Sequence, residues 1–155
     1  MKFIQALNSE KIKNLTHRRS VTIEKKTKFS EIVRLLQEAR TGCAVILEDG
    51  KVAGILTERD ILKRGLLANV GPNTPAEQLM TPEPKVLDME DNLSVAVRMM
   101  HDGKYRHLPI IDREGKFLGL VSVRDIVFYL SELYPYEVFN QPPDPHQVSV
   151  SPEGA

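Results

Sequence analysis

The stretch Gly54–Leu62, GILTERDIL, decides how the rest of the chain is read, because Gly119–Val127, GLVSVRDIV, nearly restates it. In each, an apolar run ends at a hydroxyl residue (Thr57, Ser122), passes an arginine (Arg59, Arg124) and reaches an aspartate (Asp60, Asp125). The chain then turns apolar again. Either one helix start is used twice, or one site is built twice.

The repeat extends well beyond this motif. At an offset of 64, FSEIVRLL (Phe29–Leu36) aligns with LSVAVRMM (Leu93–Met100), matching Ser30 with Ser94 and Arg34 with Arg98. CAVILEDGK aligns with HLPIIDREGK, the second copy carrying one extra turn residue. The units run roughly from 20 to 66 and from 84 to 130. Two copies are too few for a solenoid and are expected to close on each other.

Each unit reads as β-α-β-β-α. A short apolar stretch (VTI, KVL) precedes a helix for which Ser30 or Ser94 is the candidate cap. In the first helix Ile32, Val33, Leu35, Leu36 and Ala39 form one apolar stripe. AVIL and LPII then read as buried strands, EDGK and DREGK as hairpin turns, and VAGILT and FLGLVS as strands running into a second helix. Pro109 is expected at a strand start or edge, where its missing N–H does no harm. Between the units, turn formers surround a short predicted helix at Ala76–Met80. Beyond Tyr134 the chain is proline-rich without periodicity, which predicts an extended end. Tyr134, Tyr136, Val138 and Phe139 are apolar enough to predict packing against the body or a second subunit.

Composition excludes several classes of function. Basic and acidic residues balance at 21 each in 155 residues, so no global field attracts nucleic acid or an anionic membrane. The basic cluster His17–Ser20 is short and reads as a solvated patch. The single cysteine, Cys43, rules out an internal disulfide and fits a reducing compartment. Its strand-like surroundings mark it as a small buried hydrophobe. No apolar run approaches the roughly 20 residues needed to cross a bilayer, and the N-terminal stretch breaks too early for a secretory signal. A cytoplasmic protein is expected. His17, His101, His107 and His146 lack metal-ligand spacing, and neither a nucleophile–base pair nor a glycine-rich phosphate loop is present. The expectation is a non-enzyme without a metal or prosthetic group.

The hydroxyl-x-x-Asp motif has two readings. As a helix start, Thr57 accepts from backbone N–H groups and the acid three residues on completes a capping box. Capping boxes favour Glu or Gln there, whereas both copies carry the shorter Asp, and capping gives no reason for the repeated arginine. As a ligand site, the strand end and helix start offer unsatisfied N–H donors to an anion. A short acid can accept from the two adjacent hydroxyls of a ribose, and Arg59 can reach a phosphate.

The β-α-β-β-α repeat, the ends GILTERD and GLVSVRD, the LMTPEP lead-in to the second copy and YRHLPIID together resemble a pair of CBS (cystathionine-β-synthase) domains, the Bateman module. The resemblance covers roughly residues 10–132. It implies a stand-alone pair of prokaryotic type: one domain over 10–68, a linker over 69–83, a second domain over 84–132 and a tail over 133–155. It also implies an α+β fold in which tandem units, related by a pseudo-twofold axis, pack small sheets together with helices outside.

Two clefts for adenine nucleotides (AMP, ADP or ATP) follow from the resemblance. The first joins Ile55, Thr57, Arg59 and Asp60 to Lys85, Val86, Arg106 and His107. The second joins Leu120, Ser122, Arg124 and Asp125 to Val21, Thr22, Thr41, Gly42 and Cys43. Gly42 and Cys43 carry no charge where the second copy has Arg106 and His107, so the first cleft is expected to hold phosphate better.

The expected function is a nucleotide-sensing regulator that signals to an unidentified effector protein. A homodimer is expected from the apolar helix residues Leu35, Leu36, Met99, Met100, Ile126 and Phe128. The alternatives are a structural dimerisation piece with empty clefts, or binding of S-adenosylmethionine, NAD or a nucleic acid.

Overall fold

A computed structural model describes residues 2–15 and 20–135. His17, Arg18, Arg19, Tyr136, Val138, Phe139 and the rest of the tail lie outside the described residues, as does the packing expected of the tail beyond Pro135. The chain opens with helix α1 (Lys2–Ser9), which the sequence reading did not anticipate, and a single helical turn at Ile12–Asn14. The first unit follows as β1 (Val21–Ile23), α2 (Phe29–Ala39), β2 (Cys43–Glu48), β3 (Lys51–Thr57) and α3. Helix α3 begins with Glu58–Asp60 and widens to π geometry over Ile61–Leu66. A helical turn at Ala76–Gln78, shorter than expected, leads to β4 (Thr81–Pro82). The second unit is β5 (Leu87–Asp88), α4 (Leu93–Gly103), β6 (His107–Ile111), β7 (Phe117–Ser122) and α5 (Val123–Leu133). Lys85 and Val86, expected in the first strand of this unit, precede it.

Among the described residues the strands form two sheets, in the orders β1-β2-β3-β4 and β5-β6-β7. The first and second strands of each unit pair parallel, and the hairpin strands antiparallel. The β2–β3 turn has positive φ at Asp49 (53°) and Gly50 (77°), the backbone that lets a two-residue loop follow the strand twist. In the longer β6–β7 turn the Asp112 carboxylate accepts from the N–H groups of Glu114 and Lys116, both at 2.9 Å. Pro109 is buried in the middle of β6, the central strand of its sheet, and not at a start or edge. It is tolerated there because β5 pairs only with Ile110 and Ile111, so the ladder on that side begins beyond it.

Helices α2 and α4 begin one residue before the expected caps, with Lys28 and Asn92 at the N-cap positions and no side-chain cap bond. Ser30 and Ser94 lie within the first turn. Distant backbone does the capping instead. Phe29 N–H donates to Thr74 O (2.8 Å), Ser30 N–H to Pro72 O (3.0 Å) and Leu93 N–H to Glu10 O (2.9 Å). Orphan donors at a helix start need partners from somewhere, and here segments far along the chain supply them, residues 72 and 74 for α2 and Glu10 for α4. Of the α2 stripe, Ile32 and Leu36 are buried, Val33 and Leu35 pack beside them, and Ala39 is exposed.

Each unit has its own core, and each core is completed by the segment that precedes a unit. Ala76, Leu79 and Met80 join Ile32, Ile46 and Leu56 in the first core. Ala6, Ile12 and Leu15 join Leu87, Leu93 and Ile110 in the second. The N-terminal segment therefore packs on the distant unit, tied by Ile12 N–H to Asp91 O (2.9 Å) and Lys13 N–H to Met89 O (3.0 Å). Tyr129 also donates to Glu10 at 2.7 Å. Between the sheets lies a third apolar cluster of Cys43, Val45, Ile55 and Leu120. The hairpins touch as well, with Phe117 N–H donating to Gly50 O (3.0 Å). The result is the mixed α+β pair of units that the repeat implied.

Candidate functional site

Strands β3 and β7 deliver their hydroxyl residues to equivalent helix starts, and both copies close a capping box. Asp60 Oδ2 accepts from Thr57 N–H (2.9 Å) and from Thr57 Oγ1 (3.1 Å), while Asp60 N–H donates to Thr57 Oγ1 (3.4 Å). In the second copy Asp125 Oδ2 accepts from Ser122 N–H (2.8 Å) and Ser122 Oγ (2.9 Å), and Asp125 N–H donates to Ser122 Oγ (3.2 Å). Asp is thus long enough for the box, which removes one objection to the capping reading.

The box also alters the anion site expected here. The N–H groups of Thr57 and Asp60 are engaged within it, and Glu58 N–H donates to Gly42 O at 2.9 Å. These amides are therefore closed to an anion, and the basic residues of the cleft are Arg59, Lys85, Lys104 and Arg106. Asp60 Oδ1 faces the other way and accepts from Thr81 Oγ1 at 3.1 Å. A carboxylate oxygen has two acceptor sites, which leaves Oδ1 room for one ligand hydroxyl.

These residues open onto a cleft of about 950 Å³ between the units. Its wall brings together Ile55, Thr57, Arg59 and Asp60 from one unit with Lys85, Arg106 and His107 from the other. Val86 is half-buried and is not on the wall. Gly42, expected in the second cleft, lines this one. Sequence reasoning did not select Glu58, Thr81, Glu83, Pro84, Lys104 and Tyr105, all of which line it as well. Their signal was available only in part: Thr81 to Pro84 belong to the LMTPEP stretch, and Lys104 and Tyr105 directly precede Arg106.

The residues expected of a second cleft have varied surroundings. Cys43 and Leu120 pack against each other's cluster between the sheets, and Val21 packs on the first core. Thr22 is exposed and Thr41 is half-buried. Ser122 and Asp125 form their capping box, and the Arg124 guanidinium lies over the Phe128 ring of its own helix, 5.1 Å from the centroid. That stacking holds Arg124 along α5.

Burial holds the His107 imidazole below the ordinary histidine value. Asp125 opposes that shift, Arg106 adds to it, and Glu58 opposes it again. His107 pairs across the ladder with Ser122, so it stands beside the second motif while lining the first cleft. Burial, reinforced by Asp60, pushes the Cys43 thiol up to about 12, which suits a packing role. Among the described residues no cluster of His, Cys, Asp and Glu has metal-site geometry, and no helix is long and apolar enough to cross a membrane.

Fold and cleft together define a class: a tandem-repeat protein with a two-sided cleft between its units, lined by charged and apolar residues. The CBS domain family model matches residues 12–66 and 76–132, and the chain belongs to that family. It is 38% identical over 98 residues to the CBS domain-containing protein CBSCBSPB3 of Arabidopsis thaliana. That match covers 63% of this chain but only 18% of the relative's length. The fold is shared with CBSX2, solved in complex with AMP (TM-score 0.69, 23% identity, 79% of this chain and 97% of that one). It is shared also with the CBS domain protein PAE2072 of Pyrobaculum aerophilum, solved with AMP (TM-score 0.70, 24% identity, 79% and 98%).

Proposed function

We propose that the chain is a cytoplasmic regulatory module that binds an adenine nucleotide (AMP, ADP or ATP) in the cleft between its units. Occupancy is passed to an effector protein through the relative position of the two halves. The observation that carries this reading is the wall that sets Asp60 and Thr57 of one unit opposite Lys85, Arg106 and His107 of the other. An acid with one open acceptor site suits a ribose hydroxyl, and the facing cations suit phosphate. The AMP complexes of the structurally similar CBSX2 and PAE2072 support the ligand class. Ile55 offers the base an apolar contact.

A second reading keeps the clefts empty and makes the pair a structural dimerisation piece. It is favoured by the capping boxes, which account for both aspartates without a ligand. Thermal unfolding with and without AMP, ADP and ATP separates the two. Ligand at about 100 times its dissociation constant stabilises by about 2.7 kcal/mol, a melting shift on the order of 5–10 °C for a chain of this size. Wild type is expected to show that shift, and Asp60→Asn to lose it. Because Asp60 also caps, its apo melting point should fall by the equivalent of about 1 kcal/mol. Arg106→Gln leaves the caps intact and should lose protection without that fall. Absence of any shift in wild type would leave the structural reading standing, and full protection of both variants would put nucleotide binding elsewhere than at Asp60 and Arg106.

A further inference from the structure

The charges on the cleft wall are nearly balanced. The cationic side chains are those of Arg59, Lys85, Lys104 and Arg106. Against them stand the carboxylates of Glu58, Asp60 and Glu83. His107, held below its ordinary value by burial, adds little positive charge at neutral pH. The amides of Thr57, Glu58 and Asp60 are committed to the protein, so they offer an anion nothing. An entering phosphate therefore meets a formal excess of one positive charge. One phosphoryl group, with a charge of about −1.5 to −2 near neutrality, already offsets that excess. Each further phosphoryl adds negative charge against the same wall.

Glu58 is the acid of this wall that lies over Gly42. Its N–H is tied to Gly42 O, and its side chain lies across the Gly42 Cα, where any Cβ would collide with the carboxylate. The equivalent pair in the second unit is Val123 and Arg106, with Val123 N–H donating to Arg106 O at 3.1 Å. The repeat has thus exchanged a base with room for an acid at one position and an acid for an apolar residue at the other. Glycine at 42 makes the space that Glu58 fills. Glu58, lying over Gly42, lines the same cleft as Arg106 and His107.

We infer that the cleft selects a nucleoside monophosphate over the di- and triphosphate, and that Glu58 enforces the selection by repelling the added phosphoryl groups. This rests on the nucleotide reading of the cleft and specifies the phosphate count within it. The test is calorimetric titration of wild type, Glu58→Gln and Glu58→Asp with AMP, ADP and ATP, at low salt and without divalent cations. Wild type is expected to bind AMP roughly tenfold tighter than ATP, since a unit charge a few ångströms away in a solvent-exposed setting is worth about a fivefold change in affinity. Glu58→Gln should tighten ATP by roughly tenfold and AMP by about twofold, and Glu58→Asp, which keeps the charge, should retain the preference for AMP. The preference should shrink as ionic strength rises. Equal affinity of wild type for AMP and ATP, or a Glu58→Gln protein with an unchanged ratio, would overturn the selection and leave the nucleotide site standing. If none of the three binds wild type, the nucleotide reading fails and the selection with it.

Discussion

At the scale of single residues, Asp60 and His107 carry the most consequence. Asp60 uses one oxygen to start a helix and directs the other at Thr81, so its structural and proposed ligand roles occupy different atoms. The capping and ligand readings of the motif therefore coexist geometrically. His107 makes a separate prediction about acid stability. Its folded pKa lies below the unfolded value because burial disfavours the imidazolium, assisted by Arg106 and opposed by Asp125 and Glu58. Between the two pKa values the unfolded chain binds the extra proton, so stability rises with pH there. Stability should accordingly fall as pH drops from about 6.5 toward the depressed folded value, and level off below it. Denaturant unfolding across this range should show a flatter profile for His107→Gln than for wild type. An identical slope would assign the acid loss to other groups.

At the scale of elements, the hairpins, the α2 stripe and the strand-to-helix junctions were legible because neighbours in the chain decide them. The bounds of β5 and the caps of α2 and α4 were not, because their hydrogen-bond partners lie far along the sequence. The same reason explains why Ile12 belongs to the second core: its own stretch has no periodic pattern to announce a partner. Ile12 is fully buried beside Leu87 and Leu93. Ile12→Ala should cost about 2–5 kcal/mol, the range for a large-to-small core change, and Leu93→Ala a similar amount. Hydrogen exchange should place the loss on α4 and β6. A loss confined to β1, β2 and β3 would contradict the packing.

At the scale of the whole molecule, the dimer expected from the sequence acquires a different surface. Leu36, Met100 and Ile126 are buried within the chain, and Leu35 and Met99 are partly covered, so they leave little for a partner. Phe128 alone of that set is substantially exposed, and the structure adds Leu62, Leu66 and Leu67 near the end of α3 and Val123 and Val127 on α5. Leu62, Leu66 and Leu67 are 50%, 62% and 74% exposed, and it is such apolar residues grouped together, not singly, that mark an interaction surface. Homodimerisation through these helix faces is our proposal for what covers them. Light scattering at micromolar concentration should show a dimer for wild type and a monomer for Leu66→Glu combined with Phe128→Glu. A wild-type monomer, with and without nucleotide, would exclude it.

The sequence by itself determined the repeat, the order of elements within each unit, the helix starts at Thr57 and Ser122, and the grouping of Thr57, Arg59 and Asp60 that lines one side of the cleft. Those features depend on spacing along the chain, and a repeated spacing makes each copy a check on the other. Only the tertiary structure decided that Thr81 meets Asp60 and that Gly42 lies in the first cleft under Glu58. It also decided which charges share one cavity and which apolar residues remain uncovered. Such facts depend on how separate segments come together, and no local pattern encodes the charge across a gap between two units.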